Sequence, residues 1–195
     1  MKPKVSACLI VYKRQHNMPK IIESLLQWPF ISEVIIMDNS KRENTINEAR
    51  YTAAKRAEND WIYTQDDDCI VHNVDKLYKK FCEDPETIVH GGTPEYEQVI
   101  KDNIYGNEQM AMFGWGAIFN RKWAKVLDKY VDKYGKDYCY YRETDRIFTV
   151  LQKKLHNFVL SGVEHLDGAT DDYALCKKDD HIAYKNLAIK RCLEL

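Results

Sequence analysis

Seven consecutive apolar or small residues, Val5-Ser6-Ala7-Cys8-Leu9-Ile10-Val11, follow a charged start. A run without polar alternation suits a strand covered on both faces, as at the centre of a parallel sheet. Met18, Ile21, Ile22, Leu25 and Leu26 then recur at helical spacing. Asn17 serves as the cap of this helix, and Pro19 is tolerated in its first turn. A second strand covers 33–37 and ends at Asp38-Asn39-Ser40. Ile46, Ala49, Ala53 and Ala57 share one face and predict a helix over 43–58, packed closely through small residues. Trp61-Ile62-Tyr63-Thr64 is the third strand, and Asp66-Asp67-Asp68 stands at its C-terminal end.

This βαβαβ order implies right-handed crossovers and brings the ends of all three strands to one sheet edge, where open α/β folds bind ligands. Asp38 and the acidic triplet are therefore expected to be neighbours. The second half is less regular. A helix over 75–82, a strand over 87–90 and an apolar segment over 110–119, interrupted by Gly114 and Gly116, come first. Trp123, Val126, Leu127, Tyr130, Val131 and Tyr134 mark an amphipathic helix, followed by a shorter one over 143–151 and a strand over 158–160. A closing helix starts near Asp180 in a tail rich in Lys177, Lys178, Lys185, Lys190 and Arg191. The sheet is expected to become mixed here.

The 195 residues, 45% hydrophobic, can bury one sizeable core, and no repeat or linker divides them, so one domain is expected. Lys and Arg total 29 against 30 Asp and Glu, which leaves no global field to draw the chain onto nucleic acid or an anionic membrane. The N-terminal apolar run is too short for a signal peptide or a membrane-spanning helix, and the expectation is a cytoplasmic protein without a membrane span. Six cysteines, Cys8, Cys69, Cys82, Cys139, Cys176 and Cys192, form no CxxC pair and read as reduced, structural thiols.

Three consecutive carboxylates repel one another unless a cation or hydrogen-bond donors occupy the site. Taken alone, they suit a solvated acidic turn equally well. Their position at a strand end favours a hard cation such as Mg²⁺ or Mn²⁺, which prefers oxygen ligands and completes its shell with water and substrate phosphates.

The strand leading to Tyr12, the segment Val34-Ile35-Ile36-Met37-Asp38-Asn39-Ser40, Asn47 and Arg50 on the next helix, and the DxD-type triplet follow one another in order and spacing. In this the chain resembles GT-A-fold glycosyltransferases, close to family 2-like and exostosin-type enzymes, including small soluble or viral-type members. The resemblance covers most of the chain. It implies a single α/β GT-A domain with a Rossmann-like mixed sheet flanked by helices, residues 1–73 binding the nucleotide and 74–195 the sugar and acceptor.

By the same resemblance Asp38 would hydrogen-bond the nucleotide base, with Asn39, Asn47 and Arg50 nearby. Asp66 or Asp67 would hold the ribose, and Asp68, with Asp66, the metal. Gly114-Trp115-Gly116-Ala117 resembles the small-residue loop over the donor sugar, where Trp115 faces the sugar and Gly116 lets backbone approach. Glu143-Thr144-Asp145 occupies the place of the acceptor-facing acidic pair, with Asp145 preferred over Glu143 as the catalytic acid. The segment Ala174-Leu175-Cys176, then His181 and Lys185, resembles the element that closes over the diphosphate. His181 would be the third metal ligand, with His165 as its competitor, while Lys185 and Arg191 would offset charge on the leaving group.

The expected reaction moves a sugar from a nucleoside diphosphate, UDP above all, to a hydroxyl on a glycan, a lipid-linked intermediate, a protein or a modified nucleic-acid base. Two other readings stand beside it. A sugar-nucleotide nucleotidyltransferase would need a Gly-rich basic loop after the first strand, which Tyr12-Lys13-Arg14-Gln15-His16 lacks. A nucleotide-sugar-binding module without turnover would share every feature above.

Overall fold

The structure is a computed structural model that describes residues 3–41, 43–101, 111–152, 156–168 and 178–195. Its elements run β1 (Val5–Val11), α1 (Met18–Leu26), β2 (Ile31–Asp38), α2 (Glu48–Arg56), β3 (Trp61–Gln65), β4 (Cys69–Val71), α3 (Val74–Glu83), β5 (Ile88–Gly92), α4 (Pro94–Lys101), β6 (Ala117–Asn120), α5 (Val126–Tyr134), α6 (Tyr138–Gln152), β7 (His156–Leu160), β8 (Val163–His165) and α7 (His181–Leu193). The main sheet has the order β2-β1-β3-β6-β5-β7, and β4 with β8 forms a separate two-stranded ribbon.

β1 lies parallel to β2 and β3, as the continuous apolar run predicts, and all seven of its residues are buried. β6 runs antiparallel to both β3 and β5, and β7 parallel to β5, so the sheet is mixed in its second half as expected. Alternate residues of β1 enter two cores. Cys8 and Ile10 pack with Ala49, Ala53, Phe113, Phe119 and Phe148, whereas Val5, Ala7, Leu9 and Val11 pack with Ile21, Leu25, Leu77 and Phe81. Helices therefore cover both faces, and only the strand ends remain open for a ligand.

Several local expectations change. Asn17 does not cap α1: its own backbone is helical and makes no side-chain cap bond. Its amide instead donates to the carbonyls of Asp67 (3.0 Å) and Asp167 (2.9 Å). The helix predicted over 43–58 shortens to Glu48–Arg56, because Ile46 sits at φ 47° and Ala57 is extended. Trp123 lies in a 3-10 turn ahead of α5. α6 begins at Tyr138, five residues before the predicted start, and Glu143 is a non-helical break inside it (φ −108°, ψ 20°). The strands β4 and β8, three residues each, and α4 were not predicted; periodicity has no purchase on so short a strand.

Cys8, Cys69, Cys139 and Cys192 are buried free thiols and Cys82 an exposed one, while Cys176 lies outside the described residues. Burial pushes the Cys8 thiol up to about 12, consistent with an inert packing role. Among the described residues no helix is long and apolar enough to cross a membrane.

Candidate active site

β3 ends at Gln65, and the three acids that follow are drawn in different directions. The backbone N–H of Asp66 donates to Gly114 O at 2.9 Å, which lays the loop before β6 against the triplet. A Cβ at Gly114 would collide with the Asp66 carboxylate, so any larger residue there must displace that side chain. Arg50, 1% exposed, reaches across from α2 with Nη2 2.8 Å from Asp66 Oδ1, Nε 3.2 Å from Asp145 Oδ1 and Nη1 3.3 Å from Thr64 Oγ1. Shared between two carboxylates, its guanidinium is held firmly in the charged state despite burial.

Asp67 turns inward. It accepts the Tyr12 N–H at 2.6 Å and the Arg14 guanidinium at 2.8 Å, and is 5% exposed. Burial still pushes its carboxyl above the usual range, against the pull of those donors. This acid ties the end of β1 to the end of β3.

Asp68 has a single long contact to a described cation, 3.9 Å from Arg14 Nη1. Burial first, then the charge on Asp66, pushes its carboxyl up to about 7, with Arg14 only partly offsetting them. Two carboxylates that repel across a partly buried edge are a donor set that suits a hard divalent cation.

Asp38 pairs with Val11 in register, and β1 lies between its strand and β3. It accepts the Ser40 hydroxyl at 2.5 Å and backbone N–H at 3.0 Å, and lies 3.3 Å from Lys41 Nζ. The Ser40 hydroxyl leads in holding its carboxyl below the ordinary range. Its expected proximity to the triplet is real but indirect: the segment after β1 bridges them, Gln15 Nε2 reaching Asp38 at 3.4 Å while Tyr12 and Arg14 hold Asp67. Asn39 is buried, donating its N–H to Val11 O (2.9 Å) and its amide to Ile46 O (3.2 Å), and its Oδ1 is buried without a partner among the described residues.

Asn47 spends both donors on α6: its N–H goes to Tyr141 O (3.0 Å) and its amide to Arg142 O (2.6 Å). Asp145 Oδ1 takes the Tyr51 hydroxyl at 3.0 Å besides Arg50, and burial pushes its carboxyl up to about 6 against the pull of Arg50. Glu143 lies between Arg142 Nε (3.6 Å) and Arg146 Nε (3.4 Å); burial raises its carboxyl, with Arg146, Lys185 and Arg142 pulling the other way.

Trp115 stands over the ribbon, its ring edge-on to His165 at 5.5 Å. Gly116 adopts φ 92°, and a Cβ there would come 3.1 Å from the Tyr63 hydroxyl, so this turn needs glycine. His165 pairs with Cys69 across the ribbon, and Leu166 N donates to Asp68 O at 2.7 Å, which sets His165 beside the triplet.

His181 opens α7, and burial followed by Lys185, Arg142 and Arg146 pushes its imidazole down to about 4. Its Nδ1 is buried without a partner among the described residues. Among the described residues no three His, Cys, Asp or Glu side chains converge on a metal-sized site, so Asp66, Asp68 and His181 do not form one. Lys185 lies near Glu143 and His181. Arg191 lies ten residues beyond His181 on the same helix, about 15 Å at 1.5 Å per residue. There it binds the Tyr130 hydroxyl (2.9 Å) and Asp137 (2.7 Å), so the structure does not bring it to the triplet. The segment Ala174-Leu175-Cys176 lies outside the described residues.

Sequence reasoning passed over Arg14, Tyr51, Arg142 and Arg146. The signal for the last two was present, since both arginines flank Glu143 within four residues. Nothing local singles out Tyr51, which looks like an ordinary helix aromatic.

The strand order, the separate ribbon and the acids at the edge define a GT-A fold. The structure is similar to glucosyl-3-phosphoglycerate synthase from Mycobacterium tuberculosis in complex with Mg²⁺ and uridine-diphosphate, at TM-score 0.58 and 11% identity, covering 97% of this chain and 79% of that one. The same enzyme in complex with Mn²⁺, uridine-diphosphate-glucose and phosphoglyceric acid matches at TM-score 0.58 and 11% identity, covering 97% and 80%. No curated protein matches the chain. The family profile for glycosyl transferase family 2 matches residues 42–145, more than half of the sequence, and the chain belongs to that family. Of the two likenesses read from the motifs, family 2 is the one this establishes.

Proposed function

We propose that the chain transfers a sugar from a nucleoside diphosphate, UDP being favoured, to an acceptor hydroxyl with the help of Mn²⁺ or Mg²⁺. The observation that carries this is the division of the triplet. Asp66 is held by Arg50 and Asp67 by Tyr12 and Arg14, while Asp68 has one long contact to a cation among the described residues. The neighbouring synthase, crystallised with uridine-diphosphate and with either metal, supports the choice of ligands.

On this reading Asp38 and Asn39 bind the base, Asp66 the ribose side, and Trp115 and Gly116 the sugar. Asp68 and Asp66 hold the metal, and one histidine joins them by moving in, since no third such ligand converges with them among the described residues. The β4–β8 pairing supports His165 over His181, because three cations surround His181 and a fourth positive charge there is disfavoured. A bound divalent metal neutralises charge on the departing diphosphate. Lys185 adds a positive charge from α7.

Asp145, at about 6, is suited to take a proton near neutral pH in an inverting reaction. Arg50 and Tyr51 grip its Oδ1 and leave Oδ2 for the acceptor.

The test is release of UDP from UDP-sugars, titrated with Mn²⁺. Turnover should depend on metal, vanish in EDTA and fall at least 100-fold in Asp68→Asn. Full activity of the wild type in EDTA would sink the metal mechanism, and no release from any nucleotide-sugar would sink the transferase reading.

A further inference from the structure

The break in α6 has a dedicated partner outside the helix. Where a non-helical residue interrupts a helix, the carbonyls just before it are the ones displaced from their usual donors. Before Glu143 those carbonyls belong to Tyr141 and Arg142, and Asn47 donates to both, through its backbone N–H at 3.0 Å and its amide at 2.6 Å.

Asn47 directly precedes α2, whose Arg50 and Tyr51 hold Asp145 on the other side of the break. One turn of α2 therefore grips α6 at both flanks of Glu143. The grip begins at a strained residue. Ile46 is β-branched and sits at φ 47°, a conformation that persists only where the surroundings over-determine it. Here Asn44 Oδ1 accepts the Ile46 N–H at 2.9 Å and Asn39 donates to its carbonyl at 3.2 Å.

The break also matters for the acid pair. On an unbroken helix, residues two apart point about 200° from each other. Glu143 and Asp145 are such a pair; Arg50 meets Asp145 while Arg142 and Arg146 meet Glu143, and the two carboxylates lie close enough for the charge on Glu143 to help raise the Asp145 carboxyl.

We propose that Asn47 is a positioning residue for the acid pair: its two N–H donors hold the α6 break that turns Glu143 and Asp145 towards one reacting centre. This rests on the transferase reading above and gives Asn47 a task separate from nucleotide contact. It also couples the loop after Asp38, on the donor side, to the acids on the acceptor side.

The experiment compares Asn47→Ala and the near-isosteric Asn47→Asp with wild type by three readouts: kcat for UDP-sugar turnover with Mn²⁺, UDP affinity by calorimetry, and deuterium uptake over 143–146. Both variants should lose about 10- to 100-fold in kcat, the scale of a misplaced catalytic group. UDP affinity should stay within about twofold, and deuterium uptake across the break should rise.

A fall in UDP affinity matching the fall in kcat would make Asn47 a nucleotide contact and overturn the proposal. Unchanged uptake over 143–146, or unchanged kcat, would overturn it as well. If Asn47→Ala does not fold, Asn47→Asp decides, since it keeps the side-chain volume and replaces the amide donor to Arg142 O with a carboxylate that can only accept. If the wild type turns over no nucleotide-sugar, the transferase reading fails on its own, and the uptake of the two variants still decides whether Asn47 holds the break.

Discussion

At the scale of single residues, three adjacent aspartates have three different environments, and their substitution should separate them. Asp67→Asn removes a partner of Tyr12 and Arg14 and leaves a buried arginine underpaid in charge, so it should cost about 3 kcal/mol in urea unfolding. Asp68→Asn removes a repelling charge and should leave the melting temperature equal or higher while abolishing metal-dependent turnover. Gly114→Ala drives a methyl into the Asp66 carboxylate, which Arg50 prevents from moving freely. We expect turnover to fall about tenfold or more with only a modest loss of stability, since the colliding group is a side-chain end.

Asp145 belongs to the same scale. Its carboxyl stands at about 6 against the ordinary 3.8, so the folded protein binds that proton more tightly than the unfolded chain does. Its contribution to stability is therefore full below about pH 4 and lost as the pH rises to about 6. Asp145→Asn imitates the protonated form. Its stability relative to wild type should grow between about pH 4 and pH 6, measured as a difference in melting temperature.

At the scale of elements, α7 depends on α6. Arg142 is buried with its guanidinium 5.1 Å from the Tyr184 ring and 5.9 Å from that of Tyr138, and it pairs with Asp180 just ahead of α7 at 2.5 Å. Arg191 and Asp137 fasten the other end. Arg142→Ala empties the space between two rings and unpairs a half-exposed aspartate, for which about 2 kcal/mol is the expected loss. Hydrogen exchange should show the loss at the start of α7 before the sheet.

Two neighbouring helices, α5 and α6, show what periodicity can reach. The apolar positions of α5 were legible because a helix repeats its buried face every three to four residues. The break at Glu143 was not, because the carbonyls before it are met by Asn47 from 94 or 95 positions away as well as by Thr144 within α6.

At the scale of the molecule, two cores press on either side of one sheet, and the site occupies the edge that neither core covers. Ligand binding there joins β1, β3, the Gly114 loop and α6, so it should stabilise the whole fold. At metal and UDP concentrations a hundredfold above their dissociation constants, linkage supplies about 2.7 kcal/mol. That corresponds to a melting shift of roughly 5–10 °C for a chain of this size. EDTA should remove the shift; UDP giving the same shift in EDTA as with Mn²⁺ would contradict a shared metal and diphosphate site.

What the sequence by itself determined is the first three strands, their βαβαβ order and the placing of the triplet at a strand end. Each is written in the local alternation or continuity of apolar residues, and the handedness of crossovers does the rest. Only the tertiary structure decided which arginine each aspartate meets, that Asn17 serves Asp67 and Asp167 instead of its own helix, that Arg191 turns away from the site, and that His165 comes to lie beside the triplet. These contacts join residues as far as 53 and 150 positions apart. Periodicity tells which side of an element is buried, whereas strand register and packing choose which distant polar group it meets there.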